Sequence, residues 1–184
     1  MYKFSFIVLV SVLVLLILPG CLTVEKKVYT FEITGKNSGK LTVKFINIMS
    51  VKDGDTDVSN EDFDELINTY IESDEIEKDY PKATNIQKRL FEENGQLCAE
   101  MILEFPDLET ARLYQYNPKS PYMFCVKSAY DSENYIASNG TFGGEIMPVV
   151  FWDTKLETLS LTTEITKPDE STVSLVDKYR QWKK

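Results

Sequence analysis

The stretch Ile86-Gln87-Lys88-Arg89-Leu90-Phe91-Glu92-Glu93-Asn94-Gly95-Gln96-Leu97-Cys98-Ala99-Glu100-Met101-Ile102-Leu103-Glu104-Phe105 decides the fold class. Asn-Gly suits a type I′ turn, which needs positive φ at both central residues and joins two antiparallel strands. Leu97, Ala99, Met101, Leu103 and Phe105 alternate along the return strand and share one apolar face, while Glu100 and Glu104 take the wet one. Upstream, Val28 to Thr34 reads as a strand, Gly35-Lys36-Asn37-Ser38-Gly39 as a turn, and Leu41, Val43 and Phe45 as the alternating face of a second strand. Phe63, Leu66, Ile67, Tyr70 and Ile71 then recur at helical spacing, behind Ser59 and Asp62 in the positions of a capping box.

Downstream, Pro106-Asp107 opens a short helix through Tyr114 that Pro118 and Pro121 stop. Further strands are expected at Tyr122–Ser128, Tyr135–Ser138 and Leu159–Thr166. Leu175, Val176, Tyr179 and Trp182 align on one face of a C-terminal helix within Ser171–Trp182. Strand pairs interrupted by two or three helices predict an α+β fold, an antiparallel sheet with the helices packed on one face.

Composition narrows the function. The chain has 184 residues with 20 Lys+Arg against 29 Asp+Glu, a net charge of −9. Such a surface repels phosphate, so no nucleic-acid partner is expected. Histidine is absent from the sequence. That removes Ser-His-Asp and Cys-His catalysis, His-ligated zinc and the usual acid/base at neutral pH.

Lys3 followed by an apolar run from Phe4 to Leu18 has the layout of a secretory signal peptide, and 15 residues is short for a permanent span. Its end, Leu18-Pro19-Gly20-Cys21, resembles the lipobox of bacterial lipoproteins. The resemblance covers residues 1–21 and departs from the usual pattern at Pro19. It implies cleavage before Cys21, acylation of Cys21, and an exported domain held on the cell membrane or the outer membrane. Multiple acyl chains anchor stably, since each buried methylene contributes about 0.8 kcal/mol. The absence of Asp after the cysteine, where Leu22 stands, favours the outer membrane by the same resemblance. The domain organisation expected is a signal peptide over 1–20, a lipidated Cys21 with a short tether over 21–27, and a single domain over 28–184.

Several constellations invite chemistry. Gly35-Lys36-Asn37-Ser38-Gly39-Lys40 has only three residues between its glycines, has Leu41 where a hydroxyl must reach magnesium, and precedes a strand, so it reads as a hairpin turn. Asp53, Asp55, Asp57, Ser59, Glu61 and Asp64 occupy positions 1, 3, 5, 7, 9 and 12 of an EF-hand-like frame, a weak calcium candidate. Val58 stands where that frame needs glycine and Asp64 where it needs glutamate. The competing reading is an exposed acidic loop that caps the following helix. Two carboxylates alone can hydrolyse a glycoside, but no pair among so many acids is singled out.

Cys98 and Cys125 remain once Cys21 is lipidated, and either a disulfide between them or two free thiols fits an exported domain. Tyr114, Tyr116, Tyr122, Tyr130 and Tyr135 crowd one region, as a binding face or as core. Asn139-Gly140-Thr141 matches a glycosylation pattern, which a bacterial lipoprotein has little use for. The expectation is a lipid-anchored envelope protein with a binding or structural role, without a cofactor and not an enzyme. It would contact the membrane through its N-terminal lipid and a protein partner in the envelope. The alternatives are a module for a small apolar or carbohydrate ligand and, third, a carboxylate-based hydrolase.

Overall fold

Asn94 and Gly95 take φ of 53° and 77°, so the Asn-Gly turn has the two left-handed residues that a type I′ hairpin needs. The computed structural model describes residues 21–127 and 133–184. Among these the strands are β1 (Leu22–Ile33), β2 (Gly39–Val51), β3 (Thr84–Glu93), β4 (Gln96–Phe105), β5 (Tyr122–Cys125), β6 (Asn134–Ser138), β7 (Thr141–Phe142), β8 (Val149–Trp152), β9 (Thr158–Glu164) and β10 (Thr172–Ser174). The helices are short: α1 (Ser59–Glu65), a π-helix (Leu66–Ile71), α2 (Glu75–Asp79) and α3 (Val176–Trp182).

The protein is therefore mostly antiparallel β-sheet. One sheet runs β3-β4-β2-β1-β9-β6, with β10 pairing the far end of β2, and a three-stranded sheet runs β5-β8-β7. Leu97 to Phe105 bury their odd-numbered side chains as the alternation requires, and Glu104 is exposed. Opposite them, Val43 pairs Met101 and Tyr29 pairs Val43, so one apolar face continues across three strands.

That face is covered by two different layers. Over Phe31, Leu41 and Leu103 lies the small sheet, whose Tyr122, Phe124, Val150 and Trp152 alternate inward. Phe31 meets Phe124 at 5.8 Å and Trp152 at 6.1 Å between ring centroids. Over Ile48, Leu97 and Ala99 lie Phe63, Leu66, Ile67, Leu175, Val176 and Tyr179 from the helices. The expectation of an α+β fold with helices as the second layer is met in part. Their apolar stripes are only about two turns long and cannot cover so wide a sheet, so a second sheet covers the rest.

Four local expectations also change. The tether over 21–27 is strand from Leu22 onward: Val24 pairs Ile48 and Lys26 pairs Ile46, as well as Glu164 on the other side. The amphipathic run after Ser59 begins as α-helix but widens at Leu66, where the Glu72 N–H reaches the Ile67 carbonyl five residues back at 2.9 Å. Ser59 is not the cap; its own N–H donates to Asp57 Oδ1 at 2.9 Å, and these hydrogen bonds from Ser59 hold the Asp57 carboxyl below its usual range. Pro106 to Tyr114 makes a single turn instead of a helix. Asp107 Oδ1 accepts from the Thr110 N–H and hydroxyl, and Arg112 ends the turn at φ 56°.

Glycine is required at Gly39 by close approach. A Cβ there would stand 2.1 Å from the Glu32 carbonyl oxygen and 2.7 Å from the Phe105 ring. Gly35-to-Gly39 is a hairpin turn, closed by the Thr34 and Gly35 N–H groups on the Ser38 carbonyl at 3.1 Å. Gly39→Ala is expected to cost about 2 kcal/mol, read as a lower urea midpoint at unchanged slope. An unchanged midpoint would mean that β1 and β2 separate freely at that end.

Candidate functional site: an apolar cleft beside Cys21

The large sheet and the π-helix do not close on one another at the start of β1. Between them lies a cleft of about 320 Å³. Leu22 and Val24 of β1 and Phe45, Ile48 and Ala99 of β2 and β4 form its floor. Leu66, Tyr70 and Ile71 of the π-helix, with Ile76 of α2, form the opposite wall, and Ile165 closes an end.

Two irregularities build it. Asn47 sits at φ 56° inside β2, and the inward alternation Leu41, Val43, Phe45 then shifts to Ile48. The Asn47 Nδ2 donates to Glu25 Oε2 at 2.8 Å, fixing that kink to β1. Hydrogen bonds from Lys26 and then Asn47 hold the Glu25 carboxyl below its usual range. The second irregularity is the π-helix. With five residues to a hydrogen-bonded step, Leu66 and Ile71 come onto one side and Tyr70 joins them in the wall. Burial, with Glu65, Glu75 and Asp79 nearby, pushes the Tyr70 phenol up.

Lys27 borders the cleft, and its charge is already matched. Its Nζ donates to Glu133 Oε1 at 2.7 Å. Glu133, only 5% exposed, also accepts from the Tyr29 hydroxyl at 2.8 Å and from the Thr163 hydroxyl at 2.6 Å. A buried carboxylate with three donors is a structural strut between β1, β9 and the start of β6. A second depression of about 400 Å³ lies near Gly39, where Lys40 is paired with Glu32 at 2.8 Å.

Cys21 stands at the head of β1, its carbonyl accepting the Val51 N–H at 2.7 Å. Burial, followed by the charges of Asp62, Asp53 and Glu65, raises its thiol pKa. The residues that follow, Leu22 and Thr23, already line the cleft.

The calcium frame is not assembled. Asp53 and Thr56 close a tight turn by mutual backbone hydrogen bonds at 3.0 and 3.1 Å, Asp57 turns back on Ser59, and Glu61 and Asp64 lie on α1. Asp53, Asp55, Asp57, Glu61 and Asp64 thus point their carboxylates to separate tasks or to solvent. Among the described residues no three Asp, Glu, Cys or His side chains are placed to share a cation.

Of the two alternatives for Cys98 and Cys125, the structure has the free thiols, with Cys98 buried and Cys125 exposed. Cys98 lies on the large sheet, on the face away from Leu97 and Ala99, and its burial pushes the thiol up. Cys125 belongs to the small sheet, exposed, with its thiol donating to the Lys127 carbonyl at 3.0 Å. Alternation along β4 turns Cys98 outward from the sandwich, so no bond can cross the core to β5. Iodoacetamide is expected to modify Cys125 in the folded protein and Cys98 only after denaturation, as peptide mass will show. Protection of both sites without denaturant would contradict this placement.

Of the tyrosine cluster, Tyr122 is core, Tyr135 stacks on Phe142 at 4.1 Å, and Tyr114 and Tyr116 are exposed. Tyr130 lies outside the described residues. A groove between sheet and helices belongs to the ligand-module alternative, but reading Leu22-Thr23-Val24 as tether leaves its floor unassigned. The signal was there in the apolar alternation of Leu22 and Val24. Among the described residues no helix is long and apolar enough to cross a membrane. Comparison with protein-family models, curated proteins and solved structures gave no match for this chain.

Proposed function

We propose that this chain is a lipid-anchored protein of the bacterial envelope whose folded part is a non-enzymatic binding module for an apolar ligand. One observation carries the reading: the lipobox-like cysteine directly abuts β1, and the next residues wall an apolar cleft. Acylated at Cys21, the protein lies against the exported side of the cell membrane or outer membrane with no spacer between bilayer and cleft. The aliphatic lining supports an apolar ligand over a carbohydrate, because Thr23, Lys27 and Tyr70 are its polar members and Lys27 is engaged with Glu133. The same engagement of Lys27 weighs toward binding over catalysis.

Intact mass of the native protein tests the anchor. A chain beginning at Cys21 with added acyl mass, lost together with membrane retention in Cys21→Ala, is the expected result. A native chain that still carries residues 1–20, or that starts at Cys21 without acyl mass, would end the reading.

A further inference from the structure

We infer that the cleft takes one acyl chain of a phospholipid from the adjoining leaflet. This rests on the proposed reading of the cleft as a ligand site. Its walls are hydrocarbon from β1, β2, β4, the π-helix and α2. An apolar concavity left to water loses the free energy that covering it would recover. A slender chain fits the dimensions: about 320 Å³ accommodates about ten carbons, at the roughly 30 Å³ that a water-sized group occupies in a liquid.

Position selects the source. At about 3.3 Å per strand residue, Leu22 and Thr23 stand within about 7 Å of the attachment point on Cys21. Lipid tails of the same leaflet are then the most concentrated hydrocarbon in reach. The head group is the part that discriminates. Asp53, Asp62 and Glu65 lie near Cys21 and outnumber the neighbouring Lys52, whose ammonium donates to the Glu170 carbonyl, and the Lys27 cation is matched by Glu133. A zwitterionic head is therefore favoured over an anionic one, which these carboxylates repel.

The acyl chains on Cys21 are the competing occupant. They already lie in hydrocarbon, and entering the cleft would withdraw them from the bilayer that they anchor to.

The test uses the full chain as cells make it, reconstituted in phosphatidylcholine vesicles that contain phosphatidylcholine with a diazirine in one acyl chain. After irradiation, peptide mass locates the adducts. Adducts are expected on the cleft walls, on the segment from Leu66 to Ile76 and on Ile165. They should be lost in Ala99→Phe, which fills the cleft, and in Ile71→Glu, which places a charge in its wall. Thermal melts of both variants identify loss of fold, and either variant alone suffices if the other does not fold. A phosphatidylglycerol probe should label less than the phosphatidylcholine one.

Adducts spread over the exposed surface, or unaffected by both variants, would overturn the inference. So would cleft adducts that appear in Cys21→Ala and not in the native protein, since the protein's own acyl chain would then be the occupant. Cleft adducts on a chain that intact mass shows to be unacylated would sustain the inference and remove the anchor. An acylated chain with an unlabelled cleft would do the reverse.

Discussion

Phe31→Ala is expected to destabilise the protein by about 4 kcal/mol, measured as the loss of unfolding free energy in urea. Phe31 is fully buried near the C-terminal end of β1, where the large sheet meets the small one. It contacts Phe124 and Trp152, and its ring stacks beside Tyr29 at 6.3 Å. Truncation removes the ring's apolar burial and leaves a cavity that two sheets cannot close, because hydrogen bonds to both β2 and β9 hold the backbone in place. Phe31→Leu should recover about half of the loss by refilling volume without the aromatic contacts. A loss below about 1 kcal/mol for the alanine variant would mean that the small sheet is not packed on β1.

Glu133→Ala should cost about 3 kcal/mol by the same measurement. Removing the carboxylate takes a hydrogen-bond partner from Lys27, from the buried Tyr29 hydroxyl and from Thr163, which is itself fully buried. The cost arises from the donors left behind more than from the ion pair, since a buried pair roughly offsets its own desolvation. The double replacement Lys27→Met with Glu133→Leu should therefore be less damaging than Glu133→Leu alone, the sign of coupling that a double-mutant cycle with Lys27→Met and Glu133→Leu as its single variants reads. If the double variant is the sum of the two single ones, Lys27 and Glu133 act independently.

The parts of the fold legible in sequence are those in which one short-range signal suffices. The Asn94-Gly95 hairpin, the Gly35-to-Gly39 turn and the alternation of β4 each follow from turn chemistry and a period of two. The helix spacing from Phe63 to Ile71 was legible as amphipathic, but its π character was not. Residues at i, i+4 and i+5 look alike in a pattern, and the choice between hydrogen-bond steps follows from what the wall packs against. Leu22 to Lys27 looked like tether because its Lys and Glu residues, Glu25, Lys26 and Lys27, mask the strand alternation. Glu25 is held by its neighbour Lys26 and by distant Asn47, and Lys27 by distant Glu133. The small sheet was half missed for a similar reason, since Val149 to Trp152 is a run of four apolar residues without a period.

By itself the sequence determined an antiparallel sheet accompanied by short helices, an acidic surface without histidine chemistry, and the lipobox-like ending at Cys21. These depend on composition, on residue neighbours and on periodicity, which the chain carries locally. Tertiary structure alone decided that a second sheet shares the core with the helices, that Cys98 and Cys125 lie on separate sheets, and that an apolar cleft opens beside Cys21. The reason is the span of the contacts. The cleft joins Leu22 to Ile165 and the strut joins Lys27 to Glu133, pairings that arise when strands far apart in sequence settle into register. No local pattern along the chain specifies which side chains that register brings face to face.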